Sequence, residues 1–364
     1  MVIELTLIHE DIRQAKTLPG SFYSDERCLA MARDKIFTRS WQFVTDTDRL
    51  KVPGQVLPWT ALEGCLDEPV IFTRDGDDKI HCLGNVCTHR GNLLVEGECH
   101  AQGLRCRYHG RRFSLDGRFV SAPGFEAAIN FPTEADDLPR VPFGTWGKFV
   151  FASISPAFEL EELTGDMQSR LAWLPLDEFV LEPSLSRDYL VQANWALYCD
   201  NYLEGLHIPY VHPGLAAKLD PRDYRSELYR YSNLQIGIAA SADEAFDLPA
   251  SSPDHGQRIA AYYYWLFPNT MFNFYPWGLS INVVSPIAVD RTRVSFITYI
   301  WDRTKLGSGA GGALDRVERE DEDIVEKVQK GVRSRFYDRG RYSPDWERGL
   351  HHFHFLLTSF LSAK

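Results

Sequence analysis

The chain has 364 residues, 44% of them hydrophobic, and its 50 acidic against 39 basic side chains give a formal charge of −11. A single core stops growing at about 250–300 residues, so two domains are expected, while the negative charge argues against a nucleic-acid or anionic-membrane surface, both of which reward basic patches. Seven cysteines, an odd count, read as reduced thiols plus metal ligands in a cytoplasmic protein; Met1 to Asp11 lacks the basic and apolar regions of a signal peptide, and no apolar run reaches the roughly 18 residues of a membrane span.

Residues 1–40 read as a leader packing on the domain of residues 156–364. It holds one helix, from Ser24-Asp25-Glu26 as a capping start to Arg33-Asp34-Lys35. Residues 41–155 change to short apolar runs such as Pro69-Val70-Ile71-Phe72 and Lys148-Phe149-Val150-Phe151. Asp75-Gly76, Asp116-Gly117 and Pro123-Gly124 punctuate them, as in a small β domain.

Inside that domain stand two mixed pairs, Cys87-x-His89 and Cys106-x-x-His109, with sixteen residues between them. A Rieske [2Fe–2S] cluster needs this set, because two thiolates hold one iron and two neutral imidazoles the other. Arg90-Gly91 and Gly110 supply the backbone freedom that such loops require. A structural zinc site is the rival reading, but zinc modules pair like with like, two cysteines close together and then two histidines. Cys28, Cys65, Cys82, Cys99 and Cys199 remain as small hydrophobes or free thiols.

Residues 156–364 mix α and β patterns. The best strands are Ala260 to Phe267, Gly278 to Ser285 and Arg293 to Trp301, rich in β-branched and aromatic residues and suggestive of an antiparallel sheet. The chain ends in a helix with Ser343 as cap, Pro344 at its first position, and Trp346, Leu350, Phe353, Leu357, Phe360 and Leu361 on one face. The glycine motif Gly307-Ser-Gly309-Ala-Gly-Gly312 is read as a flexible loop, because Asp302 to Leu306 separates it from its strand and no parallel βαβ repeat surrounds it. Electrons must then come from another protein.

Between Asn194 and Pro213 lie Glu204, His207 and His212. Histidines five apart do not share one face of a straight helix, so a kink or π-bulge is expected, with Pro209 as its cause. Two histidines and a carboxylate hold the metal of non-heme Fe(II) oxygenases and leave the opposite face open. The carboxylate is sought in the acidic run Glu320, Asp321, Glu322, Asp323 and Glu326, where Asp321 is the first choice and Asp323 the reserve. A solvated helix face is the bland reading of that run.

Together these motifs resemble the catalytic α subunit of a Rieske non-heme iron oxygenase, the family of aromatic-ring-hydroxylating dioxygenases and related monooxygenases and demethylases. Cys87-Thr-His89 with Cys106-Arg-Tyr-His109, and Glu204-x-x-His207-x4-His212, carry the resemblance, and Asp321 sits where similar sequences place the iron carboxylate. Val328-Gln-Lys-Gly331, Ser343-Pro344, Gly349-Leu-His-His-Phe-His354 and Tyr275-Pro-Trp-Gly-Leu279 are similar to the choline, glycine betaine and carnitine oxygenases.

The resemblance implies an α+β protein, a small all-β Rieske domain plus a helix-grip catalytic domain, assembled as a head-to-tail homotrimer. It implies a [2Fe–2S] cluster on Cys87, His89, Cys106 and His109, and mononuclear Fe(II) on His207, His212 and Asp321. Electrons come from an external NAD(P)H-dependent reductase or ferredoxin. Glu204 would bridge a cluster histidine, His109 or His89, to His207 across the subunit interface. The expected reaction hydroxylates a small organic substrate with O2, by preference a quaternary ammonium or N-methyl compound, where hydroxylation of a methyl gives demethylation. Trp265, Phe267, Phe272, Phe274, Tyr275 and Trp277 are candidates for a cation-binding cage. An aromatic substrate is the alternative, and a Rieske electron carrier without oxygenase activity the alternative of another class.

Overall fold

The structure, a computed structural model, describes residues 7–219 and 224–363. It divides into two compact units, one formed by the chain up to Phe37 together with Phe158 onward, the other by Thr38–Ala157.

The smaller unit is all-β. Its four-stranded antiparallel sheet runs Ile80–Gly84, Glu68–Arg74, Gln55–Ala61, Cys99–His100; two three-stranded sheets accompany it, one from Gln42–Asp46, Phe149–Ala152 and Phe143–Trp146, the other from Leu104–Arg105, Arg112–Phe113 and Phe119–Ser121. Val56, Ile71, Leu83, Leu104, Phe113 and Leu115 form one core, and Cys87 and Cys106 are buried within it.

The larger unit is built on one antiparallel sheet of eight strands. We number them β1 (Val180–Leu181), β2 (Arg187–Val191), β3 (Arg225–Leu228), β4 (Ser232–Ile238), β5 (Ile259–Leu266), β6 (Thr270–Tyr275), β7 (Gly278–Ala288) and β8 (Arg291–Ile300). The spatial order is β1-β8-β7-β6-β5-β4-β3, with β2 also on β8. The helices are α1 (Glu26–Lys35), α2 (Leu160–Arg170), α3 (Trp195–Tyr202), α4 (Ile208–Val211), α5 (Pro213–Ala216), α6 (Leu314–Gly331) and α7 (Arg348–Ser362). This is the expected α+β architecture, an all-β domain and a helix-grip domain. Residues of the leader belong to the larger unit, and α1 packs on α7. Asp25 caps α1, accepting the Arg27 N–H.

Two local expectations need correction. The last helix begins at Arg348 and not at Pro344, because Ser343–Glu347 closes into a turn in which the Glu347 carboxylate accepts the Ser343 N–H. The cause assigned to the irregularity around His207 and His212 also moves. Pro209 lies comfortably in the first turn of α4. Pro213 instead drives the preceding His212 out of the helical region, to φ −119° and ψ 67°, and splits α4 from α5 with no π-bulge.

Candidate metal centres and substrate cavity

The two Cys-His loops of the small unit are built alike. In each, the cysteine carbonyl accepts the N–H of a glycine four residues on, Gly91 at 2.9 Å and Gly110 at 3.0 Å. Its N–H reaches the carbonyl five residues on, Asn92 or Arg111. Both glycines have positive φ, 71° and 76°, which a side chain would resist. Cys87 and Cys106 are close enough for their sulfurs to hydrogen bond. Burial, a chief cost to both thiols, raises Cys87, whereas backbone N–H groups of Tyr108 and His109 outweigh it at Cys106 and favour the thiolate there. The imidazoles of His89 and His109 form the other half, their centroids 4.7 Å apart.

This segregated arrangement fits a two-iron cluster better than one zinc ion. Among the described residues the side chains gathered tightly enough for a single ion are His207, His212 and Asp321, and the four Cys-His ligands are not such a group. Arg111 locks the loops together. It is buried, donates to Thr88 Oγ1 and to Asp136 Oδ1 at 2.8 Å each, and lies over Phe119, Phe125 and Phe131.

In the larger unit, α3 and the broken α4–α5 segment bring up the histidines, and α6 brings the carboxylate. The ligand atoms of His207, His212 and Asp321 lie within 4.8 Å of one another. His212 Nε2 is 2.9 Å and His207 Nε2 3.7 Å from Asp321 Oδ1. Each Nδ1 donates to a carboxylate, His207 to Glu204 Oε1 at 2.7 Å and His212 to Glu320 Oε2 at 2.8 Å. An ionised carboxylate can only accept, so each Nδ1 carries a proton, and a metal would take the two Nε2 atoms, replacing the proton that His212 Nε2 shares with Asp321 Oδ1. Asn201 Nδ2 holds Asp321 Oδ1 at 2.5 Å. Burial would lower the His212 pKa, but Asp321 and Glu320 outweigh it and raise it, marking a pocket that favours positive charge. Two imidazoles and one carboxylate, each oriented by a second group, fit an Fe(II) site open on one side.

Helix periodicity explains the choice between acids. Glu318, Asp321, Val325 and Gln329 share one face of α6, and Glu318, Val325 and Gln329 are buried there. Tyr198, Asn201 and Asn194 of the α3 region meet that face at Glu318, Asp321 and Gln329. Asp323 points away, its side chain 63% exposed and paired with Lys327, so it does not join the centre. Glu326 accepts the Gln192 N–H, and Glu322 pairs with Arg319. The position of α3 is fixed from behind: Asp200 accepts from Tyr23 and from His354 of α7, whose Nδ1 meets Tyr342.

A cavity of about 110 Å³ opens beside the three ligands. Its sheet wall is a cross-strand ladder, Gln235↔Tyr263↔Asn273↔Ser280 on β4 to β7, with Asn282↔Phe296 alongside. The ladder is fixed by hydrogen bonds: Tyr202 donates to Asn273, Asn273 to Asn282, and Tyr224 to Gln235. Strand alternation corrects the proposed cage. Of the six aromatic candidates only Tyr275 lines the cavity. Phe272 and Phe274 project from the other side of β6, Trp265 packs on Phe353 of α7, Phe267 on Phe360, and Trp277 stacks on Tyr275. The cavity aromatics are instead Tyr198, Tyr202, Tyr224, Tyr263, Tyr275 and Phe296.

Glu318 was not singled out by the sequence. It lines the cavity at 2% exposure, accepts the Tyr198 hydroxyl on Oε2 at 2.6 Å, and has no hydrogen-bond partner for Oε1 among the described residues. Burial pushes its pKa up to about 8, against the Tyr198 bond and with help from the charge of Asp321.

Comparison with known proteins agrees with this geometry. The family described as the ring hydroxylating alpha subunit (catalytic domain) matches residues 170–363, and the Rieske [2Fe-2S] domain matches 40–133. The chloroplastic choline monooxygenase of Arabidopsis thaliana is 31% identical over 95% of this chain and 83% of its own length. The carnitine monooxygenase oxygenase subunit of Escherichia coli (strain K12) is 27% identical over 95% and 94%. A solved quaternary ammonium Rieske monooxygenase, described as revealing carnitine oxidation and inter-subunit electron transfer, superposes with a TM-score of 0.80 at 23% identity, covering 99% of this chain and 100% of that one.

Proposed function

The chain belongs to the ring-hydroxylating α-subunit family of Rieske non-heme iron oxygenases, and from that membership we propose that it oxidises a quaternary ammonium or N-methyl compound at the cavity bounded by His207, His212 and Asp321. The observation that carries this reading is the trio of ligand atoms within 4.8 Å on the wall of an aromatic-rich cavity, in a chain that also has a paired Cys-His loop set.

In this reading Cys87, His89, Cys106 and His109 hold the [2Fe–2S] cluster, and His207, His212 and Asp321 hold Fe(II). When bound, the cluster would supply electrons one at a time and iron the oxidising chemistry by which a C–H bond, O2, two electrons and two protons give an alcohol and water. The chain's own residues do the rest. Glu204 and Glu320 fix the imidazole tautomers, and Asn201 holds Asp321. Tyrosine faces receive the trimethylammonium group, which has no proton to donate and gains about 2 kcal/mol from each desolvated contact. If a methyl is hydroxylated, the resulting N-hydroxymethyl group leaves as formaldehyde with loss of a proton; a C–H bond on a carbon bearing neither nitrogen nor oxygen gives a stable alcohol.

The electron donor we propose is an external NAD(P)H-dependent reductase or ferredoxin. The assembly is a head-to-tail homotrimer in which Glu204 links His207 to the cluster histidine His109 of the next subunit. The Glu204–His207 hydrogen bond supports one half of that link. The seven free cysteines support a reducing compartment, and we propose the cytoplasm. No helix among the described residues is long and apolar enough to cross a membrane.

The test is turnover with a surrogate reductase, O2 and choline, glycine betaine, carnitine or an aromatic acid. Oxygen uptake tied to product from quaternary ammonium compounds is expected; turnover of the aromatic acid alone would refute the reading. Metal analysis separates the electron-carrier alternative, which holds as much iron as acid-labile sulfide, from the oxygenase, which holds three irons for every two sulfides.

A further inference from the structure

The cavity contains one feature that holding iron does not require. Glu318 lines it and is buried almost completely, and its Oε1 has no hydrogen-bond partner among the described residues. A buried acid left in that state costs free energy unless something in the site answers it. The described lining residues include three carboxylates, Glu204, Glu318 and Asp321, and neither lysine nor arginine. Glu204 is engaged by His207 and by backbone N–H groups, and Asp321 by the histidines and Asn201. Glu318 is the carboxylate with binding capacity to spare.

We propose that Glu318 is the counter-charge for a fixed cation in this cavity, so that the substrate is a monocation whose other end is a neutral hydroxyl, and not a zwitterion carrying a carboxylate. This rests on the reading that the substrate is a quaternary ammonium compound and narrows it. Tyr198 holds Glu318 Oε2, which fixes the direction of Oε1, and the ring of Tyr198 lines the same cavity. A trimethylammonium group there meets an aromatic face and an anionic oxygen together, and its charge favours the ionised form of the acid. The amide and hydroxyl ladder of Gln235, Asn273, Ser280 and Asn282 suits a neutral hydroxyl. A carboxylate at that end would find amides and hydroxyls but no lysine or arginine among the described lining residues, and would face the charge of Glu204.

The experiment measures dissociation constants on the holoenzyme, with cluster and iron loaded, for choline, its neutral isostere 3,3-dimethylbutan-1-ol, glycine betaine and carnitine. The wild type should bind choline at least about a hundredfold tighter than the isostere and about tenfold or more tighter than either zwitterion. Glu318→Gln should shrink the choline-to-isostere ratio by about tenfold, equivalent to about 1.4 kcal/mol, while the isostere binds within about threefold of its wild-type value. A ratio unmoved by Glu318→Gln, or an isostere bound as tightly as choline by the wild type, overturns the role of Glu318. Zwitterions bound more tightly than choline overturn the charge selection, with the quaternary ammonium reading intact. No binding of any of the three quaternary compounds, alongside turnover of an aromatic acid, removes that broader reading and this inference with it. The wild-type series needs no variant, so poor folding of Glu318→Gln would still leave a decisive result.

Discussion

Glu320 is the sharpest test of how the protein orients its iron ligands. It accepts from His212 Nδ1 at 2.8 Å; the His212 side chain is 1% exposed and that of Glu320 27%, so any water replacing the acceptor must come from the α6 surface. Removing such an outer partner typically lowers metal affinity 10- to 100-fold, or about 1.4–2.8 kcal/mol. Glu320→Gln keeps an oxygen that can accept from Nδ1 but loses the charge, and should fall near the tenfold end. Glu320→Ala loses both and should approach a hundredfold. The other contact of Glu320, with Arg316 on the exposed side of α6, is a surface pair worth about 0.5 kcal/mol or less, so a larger loss of thermal stability in Glu320→Ala, up to about 1–3 kcal/mol, reads the His212 N–H left without its acceptor. The assay is competition of the protein against a colorimetric Fe(II) chelator, with cluster absorbance as the internal control for folding. Fe(II) affinity of Glu320→Ala within twofold of wild type would refute the idea that Glu320 sets the His212 tautomer.

Asp321→Ala should keep the cluster's visible spectrum and lose the mononuclear iron, whereas Asp323→Ala, on the solvent face of α6, should retain both by metal analysis; full iron occupancy in Asp321→Ala would move the ligand elsewhere. Glu204→Gln should leave both metals bound but slow substrate turnover at least tenfold while an external donor still reduces the cluster, and near-normal single-turnover rates would remove its bridging role. Arg111→Met leaves Asp136 with Thr133 as its partner and removes the guanidinium from between three phenylalanine rings, so the urea midpoint for cluster bleaching should fall by the equivalent of about 1–3 kcal/mol; an unchanged midpoint would show that the loops hold without it. His352 is a pH probe. Burial lowers its pKa to about 4, so an unfolded histidine takes up its proton near pH 6.5 while the folded one waits until about pH 4. Stability is therefore lost as pH falls through that window, by up to about 3 kcal/mol, and His352→Phe should flatten the urea-midpoint slope between pH 7 and 5; an unaltered slope would be contrary evidence.

What could be read from the sequence was whatever chemistry fits within a short stretch of chain. Cys87 and His89, or Cys106 and His109, each need one loop, and the glycine that closes each loop stands four residues after its cysteine. His207, His212 and Glu204 likewise lie within ten residues, and the histidine-carboxylate hydrogen bond forms between neighbours. The choice of Asp321 over Asp323 was a matter of helical face, available in principle from the spacing of Val325 and Gln329 but decided by the contact with α3. The cage was misassigned because a cluster of aromatics in sequence says nothing about which side of a strand faces a cavity. Phe272 and Phe274 alternate with Asn273 and Tyr275, and the polar residue in between turned out to mark the useful face. Glu318 was hidden for a different reason: in an acidic run it looks like one more solvated charge until tertiary packing buries it against Tyr198.

The two metal stations differ in how much of the fold each requires. Cluster ligands sit on two loops whose geometry is set by hydrogen bonds spanning four or five residues, reinforced by Arg111 and buried in a small β core. The iron trio joins His212 to an acid 109 residues away in sequence. It exists only when α3, α4, α5 and α6 are all docked on the sheet, and the same docking sets the Tyr198–Glu318 and Asn201–Asp321 hydrogen bonds. The side of α6 that supplies the metal ligand therefore also supplies the buried acid facing the cavity. A shift of α6 by one residue would replace both together, since residues three apart on a helix move as a pair. In the proposed site, oxygen chemistry and charge selection are thus tied to one helix face, and Glu318 cannot be repositioned without also disturbing Asp321. That coupling is why the side-chain exchange Glu318→Gln, which leaves the helix where it is, isolates the charge.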